Sequence, residues 1–351
     1  MTMRTIVALS LAVGFCGIAN FAGAADAPEA KPPATEVKPA PKPPAPKPKS
    51  YITIEEAGPD YAIQGEYGGA LAGKLEPGAQ VLALGDGKFR AVVYAAGLPG
   101  AGWSGDKATR VTLEGKRQGD GPAVFAGVGW AGSTVDGKTL TLTDPDGKKF
   151  ELGKLERKSP TLGAKPPEGA VVLFDGTASD KWQGGKVDAR GFLGVQGGEP
   201  KTKEKFGDAT FHVEFMTPFM PTAGGQGRGN SGVYLQNRYE LQVLDSFGLE
   251  GVDNECGGIY KNAAPKVNMC LPPLVWQTYD IDFTAAKWDG DKKTANAIIT
   301  VRHNGVVIQD ALEIKGATGG GDKELPTAGP LKFQDHGNPV FYRNIWVVEK
   351  K

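Results

Sequence analysis

Glu240, Gln242 and Asp245 have residue types and a spacing that suggest covalent chemistry. They lie in Gly224–Gly248, GGQGRGNSGVYLQNRYELQVLDSFG, a glycine-rich loop followed by two apolar-alternating runs, Ser231–Gln236 and Tyr239–Leu244. Two such runs split only by Asn237-Arg238 predict a β-hairpin. Successive side chains of a strand point to opposite faces, so Tyr239, Leu241 and Val243 share one face and Glu240 and Gln242 the other. A charged and an amide side chain opposite an apolar face suggest a sheet lining a wet groove. Asp245 has the wrong parity for that groove unless one residue bulges out and turns its carboxylate toward Glu240. The plainer alternative is a strand with two exposed polar residues and an acidic turn residue.

The resulting Glu-x-Gln-x-x-Asp resembles the Glu-x-Asp-x-x-Glu of retaining glycosidases of the laminarinase and lichenase type. In those enzymes the outer pair, on a bulged strand of a jelly roll, serves as nucleophile and acid/base. Here the middle acid is an amide and the last is shortened. Retaining chemistry wants two carboxyls roughly 5 Å apart, and an aspartate one methylene short works against that.

The elements that must position these residues are strands. The chain of 351 residues carries 51 glycines and 26 prolines and no long apolar stretch at helical spacing. That composition favours many short strands and tight turns, an all-β protein. Forty basic residues balance forty acidic ones. Residues 1–50 hold six of the basic and three of the acidic residues, leaving a net of −3 for the remainder. A nucleic-acid binder needs a basic footprint, and this balance supplies none.

Residues 1–24 read as a signal peptide, with Arg4, an apolar stretch from Ile6 to Ala19, and Ala22-Gly23-Ala24 as cleavage site. The protein is therefore expected to be exported, with no stable transmembrane anchor once the signal is cleaved, because no later segment is apolar enough to span a bilayer. Residues 25–50 form a Pro/Lys/Ala-rich linker ending in PKPPAPKPK, expected to be extended polyproline II or a plain disordered tail. Cys256 and Cys270, an even pair in an exported chain, are expected to form a disulfide.

Residues 51–157 hold runs such as Val81–Leu84, Phe89–Ala95, Arg110–Leu113, Ala123–Ala126, Leu140–Thr143 and Phe150–Leu155, punctuated by turn sequences. They predict an antiparallel meander, a small barrel or sandwich of six to eight strands, with no function legible in it. Residues 165–351 form the second unit, in which Asn304-Gly305 is the clearest hairpin turn.

Six stretches of that unit, in order, resemble the 3-keto-disaccharide hydrolase domain family. They are LFDG followed by Trp182, the HVEF strand, RGNSGVYLQNRYELQVLDSFG, ECGGIY with NMCLPPLVWQTYDIDF, HNGVVI, and GPLKFQDHGNPVFYRNIWV. The resemblance implies a concanavalin-like β-jelly-roll sandwich with a groove on its concave face, preceded here by the small β domain. It also implies a carbohydrate substrate, a 3-keto-disaccharide or 3-keto-glycoside. A ketone at C3 acidifies the C2 proton; a base removes it, the aglycone leaves from C1, and water adds to the enone. That route needs a base, a partner for the enolate oxygen and a proton source, but no glycosidase nucleophile. The other readings are a lectin-like binding module and an ordinary retaining glycosidase acting through Glu240 and Asp245.

His336 stands where a strand gives way to a Gly-Asn-Pro loop and is the first candidate for proton transfer; a loop histidine bonded to the backbone is the alternative. Glu240 is the second candidate for base, with Asp245 as its catalytic companion. Arg228 and Arg343 are expected to hold an oxyanion or a hydroxyl, or to be surface arginines. Asn230, Gln242 and Gln334 suit sugar hydroxyls, and Tyr234 and Tyr260 a sugar ring, unless the tyrosines are core. His303 is expected to be solvated beside its turn, and His212 to lie in the groove or on the outer face. A divalent metal on Glu240, Asp245 and His336 would also stabilise an enolate, though no spacing demands one.

Overall fold

The computed structural model describes residues 47–68, 76–177 and 179–351. The expected signal peptide and all but the end of the linker lie outside these residues. The described part is one compact unit, Lys47–Lys351, and is nearly all β. Among the described residues no helix is long and apolar enough to cross a membrane.

The first eight strands are β1 (Gly65–Gly68), β2 (Gly78–Gly85), β3 (Lys88–Tyr94), β4 (Arg110–Lys116), β5 (Ala123–Gly127), β6 (Trp130–Thr134), β7 (Thr139–Thr143) and β8 (Lys149–Leu155). Each pairs antiparallel with the next, and β8 returns to β1 with Leu155 opposite Glu66, closing a barrel. Closure leaves no unpaired edge. Inward residues such as Val81, Phe89, Leu113, Phe125, Leu142 and Leu152 fill it. The strands lacking a clear sequence signal are β1, GEYG, and β6, WAGST, whose glycines and small residues blur the alternation.

The remaining chain folds into a sandwich. Its smaller sheet runs β10 (Trp182–Gln183), β13 (Lys201–Thr202), β22 (Lys332–Phe333), β15 (Ser231–Leu235), β16 (Tyr239–Val243). The larger sheet runs β11 (Lys186–Val187), β12 (Leu193–Gly194), β23 (Phe341–Glu349), β14 (Ala209–Met216), β17 (Gln277–Thr284), β20 (Ala297–His303), β21 (Val306–Ile314), with β9 (Val171–Phe174) also on β23. A separate hairpin, β18 (Lys287–Asp289) with β19 (Lys292–Ala295), completes the set. Phe211, Val213, Phe215 and Ile281 from the larger sheet pack in one core with Val233, Leu241, Val243 and Phe333 from the smaller. This is the expected all-β architecture, a barrel followed by a concanavalin-like jelly-roll sandwich.

Barrel and sandwich share a packed seam. Phe219 and Leu274 lie in the barrel's core cluster, and Phe247 packs with Leu82, Val92 and Tyr94. Tyr61 meets Phe219 edge-on at 5.2 Å between ring centroids and donates to the carbonyl of Pro273 at 2.8 Å.

The segment between the two is tied to the outer face of the larger sheet. His212 Nδ1 lies 2.6 Å from Asp280 Oδ1, its ring stacks on Trp346, and Glu214 accepts from Arg343 Nε at 2.7 Å and from the peptide N–H of Gly163. Thr161 Oγ1 donates to Asp280, and Asn344 Nδ2 to the carbonyl of Ala164. Burial works against charge on Glu214, yet hydrogen bonds from His212, Asn344, Gly163 and Arg343 outweigh it and hold the carboxyl down at about 2. Burial likewise opposes a charged His212, but Asp280 and Glu214 raise its pKa overall.

The expected Cys256–Cys270 disulfide is not present. Both residues are free, buried thiols of the sandwich core, where each behaves as a small apolar group with a weak donor. Cys256 Sγ lies 3.1 Å from Tyr279 Oη, and Cys270 Sγ donates to the carbonyl of Leu244 at 3.5 Å.

Two outcomes follow for stability. Phe219→Ala should cost about 3–5 kcal/mol and lower one shared melting transition, read by calorimetry of the whole chain. The depressed Glu214 contributes stability that is present above its unfolded pKa and lost as pH falls toward about 2. The raised His212 contributes stability present below its unfolded value and lost as pH rises through its folded one. Denaturant midpoints should therefore peak on the weakly acidic side, and Glu214→Gln should flatten the acid limb and cost roughly 3–5 kcal/mol.

Candidate active site

The hairpin β15–β16 forms one wall of a cleft of about 270 Å³ on the face of the smaller sheet turned away from the core. Its register is unbroken, Ser231 opposite Val243 through Leu235 opposite Tyr239. Gln236 and Asn237 adopt positive φ, 54° and 55°, and Arg238 N–H donates to Leu235 O at 3.0 Å. The connection is thus one residue earlier and longer than Asn237-Arg238. Val233, Leu235, Tyr239, Leu241 and Val243 point into the core, which leaves Gly232, Tyr234, Glu240 and Gln242 on the cleft face.

Glu240 is fixed by its backbone. Its N–H donates to Thr318 Oγ1 at 2.8 Å, and its carbonyl accepts from Tyr260 N–H at 3.1 Å. Opposite it, Gly232 makes room: a Cβ there would stand 2.4 Å from Glu240 Oε1. The side chain is 2 % exposed and makes no ion pair among the described residues. Burial pushes its carboxyl up to about 7, against the downward pull of the Tyr234 hydrogen bond and the Lys332 charge, with Glu199 adding to the rise. Tyr234 is pushed above its ordinary value by burial and by Glu240. Its hydroxyl accepts from Gln334 Nε2 at 3.2 Å and has two acceptors for its single proton, Gly319 O at 2.9 Å and the Glu240 carboxylate.

The opposite wall is a cluster of amides. Gln226 Oε1 accepts from Gln242 Nε2 at 3.1 Å and from Asn230 Nδ2 at 3.3 Å, and Gln226 Nε2 donates to Asn254 O at 2.8 Å. Asn230 Oδ1, buried, has no partner among the described residues. Tyr260, Gly319 and Gly320 border the cleft, and His336 stands exposed at its rim.

Of the residues singled out in the sequence, the cleft brings together His336, Glu240, Asn230, Gln242, Tyr260 and Gln334. It does not gather Asp245, Arg228 or Arg343. No bulge follows Gln242: β16 ends at Val243, and Asp245 turns to a buried ion pair, Oδ2 2.7 Å from Arg228 Nε. That pair satisfies two charges that would otherwise be stranded in the interior. Arg343 lies on the larger sheet, paired to Glu214 with its guanidinium 4.1 Å from the Trp276 ring centre. The trio Glu240, Asp245 and His336 is consequently not assembled for a metal, and among the described residues no three His, Cys, Asp or Glu side chains cluster as ligands.

The other histidines are also placed. His212 is buried on the outer face of the larger sheet. His303 is fully buried rather than solvated, donating from Nε2 to Gln277 Oε1 at 3.0 Å, and burial lowers its pKa to about 3. It is a neutral core residue, because Gln277 reaches it from the paired strand and the turn folds back over it. Sequence reasoning missed Gln226, Thr318, Gly319 and Gly320. The glycine run 319–321 carried the only signal: at Gly320 a Cβ would meet Tyr234 Oη at 2.9 Å.

A family model described as the 3-keto-alpha-glucoside-1,2-lyase-like domain matches residues 169–348. The chain is also similar to solved structures from Parabacteroides distasonis that are provisionally named glycosyl hydrolases. One is 35% identical, over 52% of this chain and 85% of its own, with a TM-score of 0.48. Another is 20% identical, over 52% and 95%, with a TM-score of 0.37. No curated protein matches the chain.

Gly232→Ala tests the fit of Glu240 without touching a polar group. The added methyl displaces the carboxylate, so turnover of the substrate should fall by about tenfold or more while the melting temperature moves little; positioning losses of 10²-fold are known for shifts near 1 Å.

Proposed function

The chain belongs to the 3-keto-α-glucoside-1,2-lyase-like domain family and is a carbohydrate-active, glycosyl hydrolase-like protein, and from that premise we propose that it cleaves 3-keto-glycosides by elimination followed by hydration. The observation that carries this reading is the charge inventory of the cleft: one carboxyl, Glu240, buried and held near neutrality, with no second carboxyl among the lining residues. A retaining double displacement needs two. Proton abstraction beside a ketone needs one, and a base is most effective when its pKa lies near the working pH.

In this reading Glu240 takes the C2 proton and the electron pair moves into the C2–C3 bond as the C3 oxygen becomes an enolate. The loop residues Gly319 and Gly320, which border the cleft, would supply peptide N–H donors to that oxygen. The enolate then expels the C1 substituent, whose oxygen receives a proton from His336 at the rim, and water adds to C1 of the enone. The amides of Gln226, Asn230, Gln242 and Gln334 bind hydroxyls, and Tyr260 lies along the ring. The signal-peptide-like composition of residues 1–24 supports an exported location for this activity.

The test compares a 3-keto-glucoside with its unoxidised parent, following aglycone release and deuterium exchange at C2. Glu240→Gln should lose exchange and release together by about 10²–10⁴-fold. His336→Ala should slow release more than exchange. The wild-type rate should rise with pH through about 7, because the ionised carboxylate is the active form. Comparable turnover of the unoxidised parent would contradict the reading; binding of both sugars without release would make the domain a lectin.

A further inference from the structure

The cleft face of the smaller sheet continues past the Glu240 pocket. Cross-strand neighbours run in one row from Glu240 to Tyr234, Lys332, Lys201 and Gln183, so every strand of the sheet contributes one polar side chain. At a strand spacing of 4.7–4.9 Å, Lys201 stands about 14 Å from Glu240. Tyr234, roofed by Gly319, divides the face in two. Beyond it lies a second cleft of about 340 Å³, to which Lys201, Lys203, Lys205, Arg238, Asn237 and Asp322 contribute.

The charge of this second cleft is one-sided. Arg238 is 5 % exposed, and its guanidinium bonds only neutral oxygens: Gln236 Oε1, the carbonyls of Leu325 and Thr327, and Thr327 Oγ1. Its Nε has no partner among the described residues. Carbonyl dipoles soften an isolated buried charge but do not neutralise it. Lys201, Lys203 and Lys205 make no ion pair among the described residues. Asp322, the one carboxylate lining the cleft, is held by Asn237 Nδ2 at 2.6 Å. Asn237 Oδ1, also buried, is unpartnered among the described residues. Lys332 is excluded from the count, since Glu199 answers it at 3.3 Å.

We propose that this cleft is a second carbohydrate subsite, on the same sheet face as the Glu240 pocket, that binds a carboxylate-bearing sugar, a uronate, through Lys201, Lys203 and Arg238. The inference rests on the reading of the domain as carbohydrate-active; it does not depend on the elimination chemistry. Guanidinium and ammonium groups supply charge-assisted bonds to the carboxylate, and Gln183 and Asn237 supply the amides that hydroxyls require.

Calorimetric titration of the whole chain with a galacturonic acid tetramer, its methyl ester and inorganic sulfate tests the proposal. The tetramer should bind, more weakly as salt rises, with the ester and sulfate at least about tenfold weaker. Lys201→Gln with Lys203→Gln should cost a similar factor, and Lys203→Glu, at an exposed position, more, both with an unchanged melting temperature. Equal binding of the ester, binding of sulfate as tight as the tetramer, or affinity indifferent to the lysines would overturn it. Uronate binding that persists when no 3-keto-glycoside is cleaved would remove the elimination reading and leave this subsite. Cleavage of a neutral 3-keto-glucoside without uronate binding would remove the subsite alone.

Discussion

Glu240 owes its raised pKa to an enclosure that removes water without supplying a counter-charge. A carboxylate in that position is penalised by burial, and the Tyr234 hydroxyl and the more distant Lys332 return only part of the lost solvation, so the group settles near neutrality. The enclosure needs several conditions at once. Gly232 must lack a side chain, Gly320 must let its loop close on Tyr234, and Thr318 and Tyr260 must hold the Glu240 peptide from both sides. Arg228, the cation of the preceding loop, is consumed by Asp245. Were it free to reach Glu240, the carboxyl would fall back toward its ordinary range and cease to be a base matched to neutral pH.

The strands exist to hold that arrangement stiff. β16 gives its odd-numbered side chains to the sandwich core and its even-numbered ones to the cleft, so the packing that stabilises the fold also fixes the site. The seam with the barrel extends the same rigidity. Phe219 and Leu274 are buried in the barrel's core, and the His212 network pins the connecting segment to the back of the larger sheet. The site is thus braced from two directions while its rim, His336 with Gly319 and Gly320, is open to solvent.

Much of this was legible in the sequence because period-two alternation is a strong signal where one face is buried. Tyr239, Leu241 and Val243 against Glu240 and Gln242 set the faces of β16, and six of eight barrel strands announced themselves the same way. The signal failed where side chains are too small to alternate, as in β1 and β6. It failed again where a charge finds its partner in three dimensions: nothing in the spacing of Asp245 and Arg228 says that they pair, nor that Arg343 would join Glu214 on the opposite sheet. His303 beside an Asn-Gly turn looked solvated, since burial of a turn's flank depends on what folds over it. The Gly319–Gly321 loop lies far from β16 in sequence, and its place at the site is a product of topology; Gln226 lies in the loop just before the hairpin, but no alternation there says which way its amide turns.

The account turns on one quantity, the protonation equilibrium of a single side chain, which can be read without substrate. Carbon-13 labelling of glutamate side-chain carboxyls, with Glu240→Gln identifying the resonance by its loss, gives the titration directly by NMR. A midpoint of about 7 is predicted from the burial of the group and its lack of a counter-ion. A midpoint in the ordinary glutamate range, near 4, would mean that the cleft solvates Glu240 well, and would contradict the proposal that it acts as a base held ready at neutral pH.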